Sequence, residues 1–201
     1  RTKAVIATSG RGPRPRNSDS GLSVEDLFTA MGRHPGAVGQ LWRFTSEAAL
    51  SPVQRRALVD ALAATGDPAA ATHLANMARW RQAAEQEGAV DLDSLDLDSL
   101  DLDAAMSGPA VVVTDDETVA AVLRAAGRIA SPETDDLLDS FARDDDPRLR
   151  AAAMEGLAER LRSSDEPGER ERFTALAVQA LEDDAIGVRG AALRALANGS
   201  F

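Results

Sequence analysis

The sequence predicts an all-α protein, an α-solenoid of stacked antiparallel helix pairs with an acidic loop insertion and an extended N-terminal arm. One apolar stripe with i, i+1, i+4, i+5 spacing recurs four times, as expected of helices that bury one side. Acidic turns precede three of these copies, and prolines open a second kind of helix between them. Stacked repeats bury one continuous core and expose a long surface, which favours binding over catalysis.

The four stripes define the first helix of each predicted pair. They are Ala57, Leu58, Ala61 and Leu62; Val122, Leu123, Ala126 and Gly127; Ala152, Ala153, Gly156 and Leu157; and Ala191, Ala192, Ala195 and Leu196. In this overlay Gly127 stands where the other copies carry leucine. The preceding acidic turns, Asp115-Asp116, Asp144-Asp145-Asp146-Pro147 and Asp183-Asp184, place a carboxylate where it can cap free backbone amides.

The second helix of each pair opens with proline at the first helical position, where its missing N–H costs nothing. These openings are Asp67-Pro68, Ser131-Pro132 and Glu166-Pro167. The pattern predicts helix pairs at 51–87, 116–146 and 147–183 and a single helix at 184–198. Two shorter segments, 23–31 and 36–50, are expected to cap the start of the stack.

Four regions follow from these patterns. Residues 1–20 form a basic extended or disordered arm, and 21–87 hold the cap helices and the first pair. Residues 88–114 form an acidic low-complexity insertion, and 115–201 carry the remaining repeats. Within 91–103 the insertion contains six aspartates and five leucines without a base, which indicates a solvated loop or a segment that docks on a partner. The spacing of its aspartates does not match an EF-hand, so no metal site is predicted.

The arm is the best candidate for nucleic-acid binding, because residues 1–16 carry five basic residues and no acid in a chain with net charge −11. These residues are Arg1, Lys3, Arg11, Arg14 and Arg16. Prolines and glycines interrupt its second half and exclude a helix there. Such an arm releases counterions from RNA or DNA, or docks on an acidic protein.

Composition excludes several classes of function. The chain has no cysteine, so disulfides, thiolate metal sites and cysteine nucleophiles are excluded. Aromatic residues make up 3%, which is unfavourable for a small-molecule pocket. Lys3 is the only lysine among many acids, which is typical of a halophilic archaeon or of a GC-rich genome. We expect a cytoplasmic protein without a signal peptide, membrane span or cofactor.

Three segments resemble the HEAT-repeat superfamily, specifically the short prokaryotic repeats of the phycobilisome-lyase type. They are Thr65-Gly66-Asp67-Pro68-Ala69-Ala70-Ala71, the run from Asp145 to Ala153 and the run from Asp183 to Ala192. Arg150 and Arg189 occupy a position at which such repeats usually carry arginine. The resemblance implies an α-solenoid whose concave surface binds other macromolecules.

We therefore predict a non-enzymatic adaptor or assembly subunit that binds one or more proteins of a larger complex. The candidate contact residues are Arg55, Arg56, Arg79, Trp80 and Arg81. The first alternative is nucleic-acid binding through the arm. The second, suggested by the resemblance, is a lyase or glycosylase, and it requires Trp42, Trp80 and an acid to converge in one cleft. His73 is expected to be a half-buried helix residue, and His34 a solvated one.

Overall fold

A computed structural model describes residues 23–47, 50–87 and 115–199, with side chains at 46–47 and 80–87 outside that description. Throughout these ranges the regular elements are helices and no strand occurs. The protein is therefore all-α, as predicted. The predicted arm at 1–20 and the predicted insertion at 88–114 lie outside the described residues.

The helices follow the predicted segments closely, although the final helix begins two residues later than expected. We number them α1 (Val24–Met31), α2 (Val38–Glu47), α3 (Pro52–Ala64), α4 (Pro68–Glu87), α5 (Asp116–Ala126), α6 (Pro132–Phe141), α7 (Pro147–Ser163), α8 (Pro167–Gln179) and α9 (Ile186–Gly199). Short 3₁₀ turns at Pro35–Ala37 and Ala180–Glu182 precede α2 and follow α8.

Local chemistry explains where the helices begin. Ser23 and Ser51 form capping boxes with the third residue of α1 and α3. The Asp115 carboxylate accepts a 2.8 Å hydrogen bond from the backbone N–H of Thr118, which satisfies a free amide of α5. Gly66, in the turn between α3 and α4, has φ 63°, a conformation that glycine adopts without steric cost.

Two rows of contacts organise the helices. In the first, which we call the odd row, α1 packs on α3, α3 on α5, α5 on α7 and α7 on α9. In the second, α2 packs on α4 and α4 on α6. All predicted stripe residues except Ala57 and Leu196 are buried between these rows. The apolar stripes therefore form one core, as the sequence predicts.

Alignment of the helices from their caps corrects the sequence overlay by one residue in α5. Asp115 caps α5 and Asp146 caps α7, so Gly127 corresponds to Ala158 rather than to Leu157. The interpretation of Gly127 as a missing stripe leucine is therefore wrong. Overlay by apolar residues alone cannot fix the register of so alanine-rich a pattern.

The glycine at 127 is explained by the close crossing of α5 and α7. A Cβ atom on Gly127 would lie 2.1 Å from the carbonyl oxygen of Gly156. A Cβ atom on Gly156 would lie 2.4 Å from the carbonyl oxygen of Leu123. Backbone meets backbone at this crossing, so only glycine fits at either position.

One buried ionic cluster joins α6, α7 and α8. The Arg160 guanidinium of α7, whose side chain is 2% exposed, lies 3.0 Å from Asp135 of α6 and 3.0 Å from Glu169 of α8. Burial raises the pKa of Asp135, and its hydrogen bond to Arg160 opposes that shift. Ser164 also donates to Glu169 at 2.8 Å. The buried charge is thus paired on two sides.

Candidate partner-binding surface

A row of exposed arginine–carboxylate pairs crosses the odd row of helices, and we call it the charged ridge. Its side chains come from the first two, the fifth and the ninth residues after each cap, which share one helix face. The ridge consists of Arg56 of α3, Asp116, Glu117 and Arg124 of α5, Arg148 and Glu155 of α7, and Arg194 of α9.

Each ridge pair joins two neighbouring helices. Arg56 pairs with Glu117, and Arg148 lies 3.0 Å from Asp116. Glu155 pairs with Arg124 on one side and lies 3.1 Å from Arg194 on the other. The pairs therefore form a continuous chain of contacts from α3 to α9.

The ridge arginines keep much of their surface in water. The Arg148 side chain is 74% exposed and that of Arg194 is 62% exposed. Between Arg56, Arg124 and Arg148 lies a shallow groove of about 370 Å³. Exposed pairs of this kind each stabilise a fold by only about 0.2–1 kcal/mol, so their guanidinium groups can exchange partners with an incoming carboxylate.

The predicted contact residues occupy two places in the fold. Arg55 and Arg56 lie in the first turn of α3, where Arg55 is 3.4 Å from Asp115. Arg79 lies on α4 with an exposed side chain. The backbone N–H of Glu133 is the main cause that lowers the pKa of this α6 carboxyl, and the charge of Arg79 adds to it. The structure thus brings Arg55 and Arg56 into one junction and places Arg79 at another.

Other predicted residues lie outside the described part of the structure. Positions 80 and 81 belong to α4, but their side chains, Trp80 and Arg81, are not described. The same holds for the arm residues, which are Arg1, Lys3, Arg11, Arg14 and Arg16. The nucleic-acid alternative and the tryptophan cleft therefore stay predictions.

Trp42 and His73 form a stacked pair between α2 and α4. Their ring centroids are 4.2 Å apart and the interplanar angle is 16°. His73 is half-buried, as predicted, and burial lowers its pKa. His34 is exposed, also as predicted. In this arrangement the Trp42 ring packs against the body of the protein.

Two further features concern the described residues alone. They contain no group of three or more histidine, cysteine or acidic side chains arranged to hold a metal ion. None of their helices combines the length and the apolar character needed to span a bilayer.

Comparison of the chain with protein-family models and with curated proteins gives no match. The function of the ridge is therefore argued from its own geometry and charge.

Sequence reasoning missed most of the ridge. Arg124, Arg148 and Arg194 are separated along the chain, and only Arg148 lies within one of the repeat-like segments. The sequence does contain a signal for them, which is their distance from the cap of each helix. When helices stack in register, residues at similar distances from their caps lie next to each other. That signal requires the cap-based register, which the apolar overlay misplaced.

Proposed function

We propose that this protein is a non-enzymatic adaptor that binds a partner protein through the charged ridge of an α-solenoid. The single observation that carries the proposal is the continuous row of exposed arginine–carboxylate pairs across α3, α5, α7 and α9. A surface of this extent suits a macromolecule better than a small ligand, which binds in concave and mostly apolar sites.

The helix contacts support the solenoid part of the proposal. In a solenoid each repeat packs on its neighbours along one axis, and both rows of contacts here run in chain order. The proline-opened second helices, the acidic turns and the arginine at equivalent positions support assignment to HEAT-like repeats. Antiparallel helix pairing is part of this proposal.

Both signs of charge on the ridge fit a protein partner better than a nucleic acid. The ridge places carboxylates beside every arginine, and these repel phosphates. A protein surface with its own mixed charges can meet such a row with opposite signs at each point, which gives specificity and register.

The proposal is tested with a charge-reversed ridge. We would capture partners from cell extract with the full chain and with the Arg124→Glu, Arg148→Glu and Arg194→Glu triple variant, with and without nuclease, and identify them by mass spectrometry. We expect a small set of proteins that survives nuclease treatment with the native chain and is lost with the triple variant.

A control triple variant has the same change in charge at exposed arginines outside the ridge, namely Arg143→Glu, Arg162→Glu and Arg172→Glu. It should keep the partners. If both triple variants retain the same proteins, the ridge is not the binding surface. If recovery from the native chain collapses on nuclease treatment, the protein binds nucleic acid instead.

A further inference from the structure

The outer face of α9 is apolar and exposed at the eighth and twelfth positions after the preceding residue, which α3, α5 and α7 bury. Counted from Ala185, which precedes α9 as a cap precedes the earlier helices, Leu193 is the eighth residue. It is 59% exposed. Its counterparts Val59, Leu123 and Met154 are all at most 1% exposed. Ile186, on the same side of α9, is 79% exposed.

The buried counterparts show what this face normally meets. In α5 the backbone at Leu123 and Gly127 touches Gly156 of α7. The eighth and twelfth positions after the cap therefore face the next helix of the odd row. On α9 these positions are Leu193 and Ala197, both exposed. The face has the shape that receives another helix.

A charged group lies at the edge of the same face. Arg150 of α7 donates from Nη1 to the carbonyl oxygens of Asp144 and Asp145, at 2.9 and 3.0 Å. Its Nε and Nη2 atoms hold the Asp183 carboxylate, in the turn that leads into α9, at 2.8 and 2.9 Å. These bonds hold the pKa of Asp183 at about 2.

Arg189 repeats half of this arrangement. Its Nη1 donates to the carbonyl oxygens of Asp183 and Asp184 at 2.8 and 2.9 Å. Within residues 23–47, 50–87 and 115–199, no carboxylate lies within ion-pair distance of Arg189. Because the same pair of carbonyl bonds holds Arg150, we infer that the Nε and Nη2 edge of Arg189 is directed to the place of a next helix, as that of Arg150 is directed to the turn before α9.

We propose that this end of the molecule binds an amphipathic helix of a partner protein that carries aspartate in the turn leading into the helix. The helix lies on Ile186, Gly190, Leu193 and Ala197, and its aspartate pairs with Arg189. We call these five residues the α9 docking face. The inference rests on the proposed adaptor function and adds a second contact surface, which adjoins the ridge at Arg194.

Among the described surfaces, the exposed side of α1 in a second copy fits this face less well than a partner helix does. In the odd row, the side of each helix that faces the C-terminal end of the stack packs on the opposite side of the next helix. On α9 the side that faces back along the stack is already covered by α7. On the exposed side of α1, Val24 and Leu27 are 38% and 40% exposed. The two residues before the α1 cap are Gly21 and Leu22, so no aspartate stands where Asp183 and Asp184 precede α9. A second copy docked through α1 therefore has no aspartate at the place that Asp183 takes beside Arg150.

The test uses α9 itself as a helical probe, because α9 packs on the equivalent face of α7. A synthetic peptide of residues 183–199, stapled through positions 193 and 197 to hold it helical, presents the acidic turn and inner face that α7 binds. Fluorescence anisotropy measures its binding to the full chain. Saturable binding is expected, and Leu193→Glu should weaken it by at least about tenfold, as for a buried anchor.

A double-mutant cycle isolates the ion pair. Arg189→Gln in the protein and Asp183→Asn with Asp184→Asn in the peptide should each weaken binding by about tenfold. Combining them should cause little further loss, because both remove the same contact. The matched controls are Val53→Glu, which is 55% exposed on α3, and Arg162→Gln, and both should bind the peptide as the native chain does.

Three outcomes overturn the inference. In the first, binding of the stapled peptide does not saturate. In the second, Leu193→Glu and Arg189→Gln leave peptide binding unchanged. In the third, the native chain self-associates as its concentration rises and Leu193→Glu abolishes this. The last outcome identifies a second copy as the occupant. If the peptide does not bind but the ridge variants still change partner capture, only the docking face is rejected. If the peptide binds but nuclease treatment removes the captured proteins, only the proposed adaptor function is rejected.

Discussion

At the residue scale, the buried arginine of α7 shows how a charge can hold helices together. Arg160 contacts Asp135 and Glu169, and its guanidinium carbon lies 5.8 Å from the centroid of the Phe173 ring. A cation that is paired twice and stacked on an aromatic ring has recovered part of its lost hydration. Its removal leaves Asp135 as a buried carboxylate without its main partner.

We predict that Arg160→Met lowers the free energy of unfolding by about 3–5 kcal/mol, as expected when one partner of a buried pair is removed. Urea denaturation followed by circular dichroism measures the change. Arg162→Met, two residues further along α7 and exposed, should change stability by no more than about 0.5 kcal/mol. Equal effects of the two substitutions would mean that the buried cluster contributes nothing particular to the fold.

The Trp42–His73 stack predicts a pH effect on stability. Burial lowers the pKa of His73 from 6.5, so below that pH the unfolded chain binds a proton more readily than the folded chain. The free energy of unfolding therefore falls as pH drops through this region. Urea titrations at about pH 7.5 and about pH 5 should show a smaller drop for His73→Gln than for the native chain.

His34→Gln provides the control for this pH effect, because His34 is the second of the two histidines and is exposed. It should keep the full drop in stability. A drop that His34→Gln removes and His73→Gln leaves in place would contradict the assignment to the stacked histidine.

At the element scale, the crossing of α5 and α7 depends on two glycines. We predict that Gly127→Ala lowers the free energy of unfolding by at least about 1–3 kcal/mol, because the added methyl group overlaps the backbone of α7. Gly168→Ala is the control, since a Cβ there meets nothing within 4 Å. It should be neutral or stabilise by up to about 1 kcal/mol. Thermal and urea unfolding of both variants checks the difference.

The same crossing shows what sequence could and could not predict about the elements. Helix starts were predictable because prolines and capping residues act on their own first turn, as at Pro132 and Asp115. The register between helices was not, because it depends on which backbone approaches Gly127 from another part of the chain. An alanine-rich stripe can be overlaid in two registers with almost equal agreement.

At the scale of the whole molecule, the contact pattern predicts a gradient of local stability. α7 packs on α5, α6, α8 and α9, whereas α1 packs mainly on α3. Segments with fewer neighbours open at lower free energy. Hydrogen exchange read by mass spectrometry should show faster exchange in α1 and α2 than in α5 and α7. Equal protection along the chain would indicate a single cooperative unit.

The candidate surfaces follow from the whole arrangement and were only partly predictable. Arg55 and Arg56 stood out as adjacent basic residues, yet their acidic partners Asp115 and Glu117 lie beyond the predicted insertion. Arg160 has the sequence context of a surface arginine and is buried only because α6 and α8 close over it. Pairing between distant helices is a tertiary property, so local patterns carry little information about it.

The backbone contact between Gly127 and Gly156 also sets how the molecule responds to force. The two backbones meet there without an intervening side chain of either helix, and packed interiors resist compression, so we expect α5 and α7 to move together. The junction of α3 with α5 also has arginine bridges, among them Arg55 and Arg128, but α3 contains no glycine that brings the two backbones together. We therefore expect α3 and α5 to shift relative to each other more readily than α5 and α7 do.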